Sequence, residues 1–236
     1  MNKFIIFATA RTGSTSLARV LGESSDVKMA IEPFHEGFSK WNPDEKDYSK
    51  FIVDQKTMDE ALDDLFSRYT AIKVLDYQLE PDIYYSMLKR KDFKILFLRR
   101  KNIAQSVLSN LVAEQTSEWH KQDNTEIYKN LKPIDLYKMT EMINYISSLN
   151  SKNAKFLEEN RKVDYLPLYY EELYSDSLEQ NIKTMKTVCD FLDISLPPEE
   201  AVKKYMLPSE AKINYSNIYK NVPNYDEIEK KFGKLE

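Results

Sequence analysis

The segment that most restricts how this chain can fold is Lys3–Ala8, KFIIFA, a continuous apolar run of the kind a strand buried on both faces requires. Such strands belong to parallel sheets with helices packed above and below. Thr70–Leu75 (TAIKVL), Lys94–Leu98 (KILFL) and Val163–Leu168 (VDYLPL) have the same character, and Val27–Ala30 is a weaker version. Pro167 has no N–H for a ladder, so the last of these runs belongs at a sheet edge or a strand terminus.

Helical patterns separate the strands. Ser14–Leu21 follows the first one directly, and Thr57–Arg68 places Met58, Ala61, Leu62, Leu65 and Phe66 on one face. Pro81 opens Pro81–Lys91 at a first-turn position, where its missing N–H costs nothing. Asn102 can cap Asn102–Gln115, with Gln105 at the capping-box position. A long helix from about Pro133 to Asn160 shows Met139, Met142, Ile143, Ile146, Leu149, Phe156 and Leu157 as a one-sided stripe, read as core packing. Ser177–Leu192 and Asp226–Phe232 complete the set. Strands alternating with helices predict βαβ units with right-handed crossovers. The expectation is an α/β fold, one domain over residues 1–236, with a mostly parallel central sheet flanked by helices. In such sheets ligands bind beyond the carboxyl ends of the strands, so the residues after each strand carry the functional information.

The first of these loops is Thr9-Ala10-Arg11-Thr12-Gly13-Ser14-Thr15-Ser16, running into a helix. Successive N–H groups, a helix N-terminus and several hydroxyls suit a phosphate or similar anion, and Arg11 adds a permanent charge. The chain holds four glycines in 236 residues, against an average of ~7%, so Gly13 at this turn stands out. The loop is not a Walker A motif: Ala8 stands at the first glycine position and Ser14 where lysine belongs. The second loop follows Lys94–Leu98 as Arg99-Arg100-Lys101-Asn102, opening a helix that carries Gln105, Ser106 and Ser109. Arginines there offer bidentate recognition of a second phosphate. Two anion sites on two strand ends suggest a nucleotide phosphorylated at two separate positions.

At this point the sequence resembles the sulfotransferases that use 3'-phosphoadenosine-5'-phosphosulfate (PAPS). Phe4–Leu17 is similar to their 5'-phosphosulfate loop, and Ile95–Asn102 through Ser109 to their 3'-phosphate motif. Val112–His120 resembles the continuation in bacterial carbohydrate sulfotransferases, including the trehalose and nodulation-factor types. Tyr169-Tyr170-Glu171-Glu172-Leu173 matches a Y-E-D/E-L segment, and Asn224–Ile228 a common closing helix. The resemblance implies a fold related to P-loop kinases and transfer of a sulfuryl group to a hydroxyl or, less often, an amine. Arg11 takes the place of the residue that stabilises the leaving oxygen, and Thr12, Gly13, Ser14, Thr15 and Ser16 that of the 5'-phosphate cradle. Arg100, beside Arg99, and Ser109 take the 3'-phosphate positions, with Ser106 competing for the serine role; Tyr170 falls where adenine is contacted. The loop tryptophan of cytosolic members is replaced by Ser16, and no basic-glycine loop appears near the C-terminus.

An acceptor hydroxyl needs a general base. Ile31-Glu32-Pro33-Phe34-His35 supplies two candidates: Glu32, similar to the glutamate of an E-P motif in carbohydrate sulfotransferases, and His35. His120 reads as packing or substrate contact, and Phe38–Phe51, with Trp41 and Tyr48, as an acceptor wall. Two histidines and one cysteine are too few for a zinc cluster, so no metal is expected. A net charge of −4 argues against a dedicated nucleic-acid binder. The lone Cys189 reads as a buried thiol in a reducing compartment, and no run approaches ~20 apolar residues, so a cytoplasmic protein without a membrane span is expected. The expected partner is a carbohydrate or small-molecule acceptor. The rival readings are a P-loop nucleotide kinase and an inactive nucleotide-binding relative.

Overall fold

The computed structural model describes residues 2–119, 126–161, 164–208 and 218–235. His120, and Val163 at the expected start of the last strand, lie outside the described residues. The apolar runs form five strands: β1 (Phe4–Ala8), β2 (Met29–Ile31), β3 (Ala71–Leu75), β4 (Lys94–Arg99) and β5 (Tyr165–Tyr169). They make one sheet in the order β2-β3-β1-β4-β5, and every pair is parallel. β1 is central and all five of its residues are buried. Pro167 lies in the edge strand β5 opposite Phe97, where its missing N–H breaks no interior ladder.

Ten helices among the described residues pack around this sheet. α1 (Ser14–Gly22), α8 (Leu178–Leu192) and α9 (Glu199–Met206) cover one face, contributing Leu17, Leu21, Val188, Leu192 and Val202 to a core with Phe4, Ile6 and Leu96. On the other face α3 (Gln55–Arg68), α4 (Pro81–Lys89) and the end of α6 (Leu136–Arg161) bury Leu62, Leu65, Met87 and Leu157 against Ile5, Phe7 and Phe97. A third core joins α5 (Ile103–Thr116) and the start of α6 to α10 (Tyr225–Phe232). Two one-turn helices, α2 (Phe38–Trp41) and α7 (Tyr170–Leu173), follow β2 and β5. Cys189 is buried in the first core, which pushes its thiol up to about 12. Among the described residues, no helix is long and apolar enough to cross a membrane.

Local chemistry explains the helix ends. Asp54 accepts from Thr57 N at 2.8 Å while Thr57 Oγ1 accepts from Asp54 N at 3.1 Å, so α3 starts at Gln55 rather than at Thr57. Asn102 caps α5 by accepting from Gln105 N at 3.0 Å, but the Gln105 amide turns to Arg100 instead of closing a capping box. The α6 stripe packs as core through Met139, Ile143, Phe156 and Leu157; Met142 and Ile146 pack on the third core and also reach a large cavity above the sheet, which Leu149 lines as well. Tyr48 is likewise core: it is buried edge-on to Phe34 and donates to Asp64 at 2.5 Å.

Candidate active site

The register aligns the carboxyl ends of the three inner strands, with Ala8 opposite both Leu75 and Leu98. The residues that follow therefore meet above the sheet. After β1 the chain turns through two left-handed residues, Arg11 (φ 62°) and Gly13 (φ 78°). A Cβ on Gly13 would sit 2.7 Å from Cε2 of Tyr174 and 3.1 Å from Cδ2 of Tyr170, so only glycine fits. The turn is held from within by Thr12 Oγ1 donating to the Thr9 carbonyl at 2.8 Å, and from outside by Tyr174 OH donating to the Gly13 carbonyl at 2.6 Å. Burial pushes the Tyr174 phenol well above its ordinary range, so it stays protonated. Gly13 caps α1 without a side-chain bond, which leaves the first N–H groups of the helix for a ligand.

The loop after β4 locks onto this turn. Arg100 Nη1 donates to the Arg11 carbonyl at 3.2 Å and Ser106 Oγ to the Ala10 carbonyl at 3.2 Å. Arg11 reaches back, its Nε donating to Ser109 Oγ at 2.9 Å and its Nη1 to the Trp119 carbonyl at 2.7 Å. The Arg100 guanidinium lies 4.0 Å over the Tyr170 ring, and its buried Nε makes no hydrogen bond but lies 3.8 Å from Glu171 Oε1 in an ion pair. Its neighbour Glu171 accepts from the N–H groups of Lys101 and Asn102, at 3.0 Å each, so this carboxylate braces the loop. The three consecutive cations thus differ in placement. Arg100 faces the cavity, Lys101 pairs with Glu172 at 2.7 Å, and Arg99 stacks on Phe97 and Tyr169 at 4.8 Å from each ring.

Glu32 follows β2 in a left-handed conformation (φ 60°) that few non-glycine residues adopt. Its carboxylate forms an ion pair with Lys73, and its Oε2 accepts from Gln78 Nε2 at 2.9 Å. Lys73 is 1% exposed and also donates to Thr15 Oγ1 at 3.0 Å, tying the Glu32 turn to the start of α1. Burial lowers the Lys73 ammonium from its ordinary value, with Glu32 pulling the other way. His35 stacks on Trp41, and its Nδ1 accepts from Gly37 N at 2.9 Å. A neutral His35 in this arrangement carries its proton on Nε2 and is a donor.

These groups line one cavity of about 2250 Å³, larger than the ~300–1,000 Å³ that holds a single drug-sized ligand. Arg11, Gly13, Ser14, Thr15, Ser16, Glu32, His35, Arg100, Ser106, Ser109 and Tyr170 all reach it; Thr12 and Arg99 do not. Among the described residues, three of the four non-glycine residues with positive φ, Arg11, Glu32 and Ser117, lie on its wall. Each such conformation costs ~1–3 kcal/mol, and such outliers concentrate at functional sites. Three wall residues escape a reading of the sequence alone. Lys73 had a signal, a charge inside an apolar strand, which demands a buried partner. Asp76 had another, an acid immediately after a buried strand, and Tyr174 had none beyond its spacing from Tyr170.

No protein-family model and no curated protein matches the chain. Among solved structures it is similar to mouse sulfotransferase SULT7A1 complexed with PAP, at 14% identity over 90% of this chain and 67% of that one, TM-score 0.46. It is also similar to a sulfotransferase from Alicyclobacillus acidocaldarius, at 18% identity over 92% of this chain and 98% of that one, TM-score 0.48. A sulfotransferase domain from the curacin biosynthetic pathway matches at 15% identity, over 98% of this chain and 97% of that one, TM-score 0.49.

Proposed function

We propose that this chain is a sulfotransferase, acting as one unit over residues 1–236, that moves a sulfuryl group from PAPS to a hydroxyl of a carbohydrate or other small-molecule acceptor. The observation that carries the reading is the coupling of two anion sites in one cavity. The loop before α1 and the loop after β4 hold each other through Arg100 to Arg11 and Arg11 to Ser109. A nucleotide with a 5'-phosphosulfate and a 3'-phosphate places one group on each. The Arg100 guanidinium on the cavity wall and the glycine-only turn at Gly13 fit such a ligand.

The residues then take these roles. The N–H groups and hydroxyls of Gly13 to Ser16 hold the 5'-phosphate end, with Thr12 keeping the turn in shape. Arg100 and Ser109 hold the 3'-phosphate, and Tyr170, under the Arg100 guanidinium, offers its ring edge to the base. Arg11 neutralises charge on the departing bridging oxygen, a stabilisation that acts where charge develops. Glu32 takes the acceptor proton, and His35 donates a hydrogen bond from the cavity wall.

A P-loop kinase is the second reading, and Lys73 weighs against it. A Walker A loop offers its Ser/Thr hydroxyl to Mg²⁺ and a lysine to the phosphates. Here Ser14 stands at the lysine position, and the hydroxyl at the metal-binding position, Thr15, already accepts from the Lys73 ammonium. A fixed protein cation at that point suits transfer of a monoanionic sulfuryl group. The test is transfer of ³⁵S from labelled donor to a panel of alcohols, phenols and sugars. Arg11→Ala is expected to lower the rate by ~10²–10³, the cost of losing one transition-state donor. An undiminished rate removes the role given to Arg11.

A further inference from the structure

The cavity is chemically lopsided. Every lysine and arginine among its described lining residues, Arg11, Arg19, Lys73 and Arg100, belongs to the anion-binding half or is paired with Glu32. The opposite half, between the turn after β3 and the middle of α6, carries Asp76 and Glu80 with no lysine or arginine among the described residues. Its walls are Tyr77, Tyr84 and Tyr145, with Trp41, Met142 and Ile146 beside them. Trp41, Tyr77 and Tyr145 are each more than 60% exposed, and they come from three separate segments. Exposed aromatics converging from distant parts of a chain mark a binding surface.

Asp76 is the unexplained group in this half. It is 8% exposed, yet its Oδ2 has no hydrogen-bond partner. A buried carboxylate oxygen without a donor is costly, and native structures rarely leave one without a reason. Neighbouring Glu32 is already satisfied by Lys73 and Gln78. Tyr84, which shares a field with Asp76, donates instead to Asn153 at 3.2 Å.

We propose that this half of the cavity is an amine-recognition subsite: the acceptor carries an ammonium that pairs with Asp76 between Tyr77, Tyr84 and Tyr145, on an apolar body that lies along α6. This rests on the sulfotransferase reading and narrows its acceptor to amine-bearing hydroxyl compounds. The ammonium supplies the donor that Asp76 lacks, and the tyrosine faces attract the same charge. The missing lysine or arginine on this side rejects acidic molecules, whose carboxylate would face Asp76 and Glu80. Burial pushes the Asp76 carboxyl up to about 7, while the N–H groups of Tyr77 and Asp76 act in the opposite direction. The titratable groups around it are Tyr77 and Glu80 on its own turn, Tyr84 on α4, Tyr145 on α6 and Glu32 beyond Tyr77. None of them is a cation, so a bound ammonium favours the ionised form of Asp76.

The experiment compares calorimetric binding of tyramine and 4-ethylphenol, which share a phenol and differ by the ammonium, to wild type and to Asp76→Asn. One charge-assisted hydrogen bond predicts a preference for tyramine of about 10- to 100-fold in wild type at pH 8. The preference is smaller at pH 6, and in Asp76→Asn it falls to about one at both pH values. A thermal melt of Asp76→Asn at pH 8 verifies that the variant is folded. Equal affinities in wild type, no measurable tyramine binding at millimolar concentration, or a preference that survives Asp76→Asn would each overturn the subsite. Titration of PAP into the same protein separates the two readings. Amine preference without PAP binding leaves the subsite standing and removes the sulfotransferase, and PAP binding without amine preference does the reverse.

Discussion

The two halves of the cavity are built by different means. The half proposed to bind the anions uses backbone: a left-handed turn at Arg11 and Gly13, an uncapped helix start, and the Ala10 and Arg11 carbonyls that accept from Ser106 and Arg100. The half proposed to take the acceptor uses side chains brought from α2, the turn after β3, α4 and α6, with Asp76 buried beneath them. Phosphate recognition demands N–H groups in succession, so its determinants are contiguous in the chain. Recognition of a small organic body demands a shaped wall, and the wall's pieces are scattered. Lys73 lies between the halves, bonded to Thr15 on one side and Glu32 on the other.

The largest expected effect comes from removing that link. Lys73→Met leaves Glu32 without its buried cation and is expected to cost ~3–5 kcal/mol in urea unfolding, with Lys73→Met/Glu32→Gln recovering much of the loss. A loss below about 1 kcal/mol would mean that the halves are not joined through this pair.

Next comes Asp76. Its folded carboxyl, at about 7, lies above its unfolded value, so the native state holds the proton longer. Its contribution is therefore most favourable below pH 4 and is lost as pH rises from about 4 to 7, by up to ~4 kcal/mol. Asp76→Asn is expected to be more stable than wild type at pH 8, with the advantage vanishing toward pH 4. A pH-independent difference would place Asp76 in a solvated environment and dissolve the contrast between the halves. Tyr174→Phe, on the other side, removes one hydrogen bond to the Gly13 carbonyl and is expected to cost ~1 kcal/mol in stability.

The same contrast governs what the sequence made legible. β1, β3 and β4 are legible as apolar runs because burial on both faces leaves no other residue pattern, and of the sheet edge or strand terminus that Pro167 allows, the sheet order shows the edge. β2 was displaced, since the run Val27–Ala30 has no sharp apolar boundary and pairing with β3 sets the strand at Met29–Ile31. The helix α9 has no counterpart in the sequence reading, although Pro198 stands at its N-cap and Glu199 and Glu200 in its first turn. Around the cavity, the loop from Thr9 to Ser16 and the run Arg99–Asn102 followed by Gln105, Ser106 and Ser109 are visible as local patterns; the pairing of Arg100 with Ser109 comes from the family resemblance. The Lys73, Thr15 and Glu32 network was not visible, since its members lie 41 and 58 residues apart in sequence. Nor was the backbone strain at Glu32, which no propensity signals. The α6 stripe reads as core and packs as core, but a helical period does not show that Met142, Ile146 and Leu149 also line the cavity.

The most direct test of the central claim is a thermal shift with the desulfated donor, PAP, run in EDTA beside Mg-ATP. Coupled 5'- and 3'-anion sites predict that PAP at 100 times its Kd stabilises the protein by ~2.7 kcal/mol without magnesium, with a much smaller shift for Mg-ATP. Stabilisation by Mg-ATP and none by PAP would contradict the account and turn the same loops into those of a nucleotide kinase.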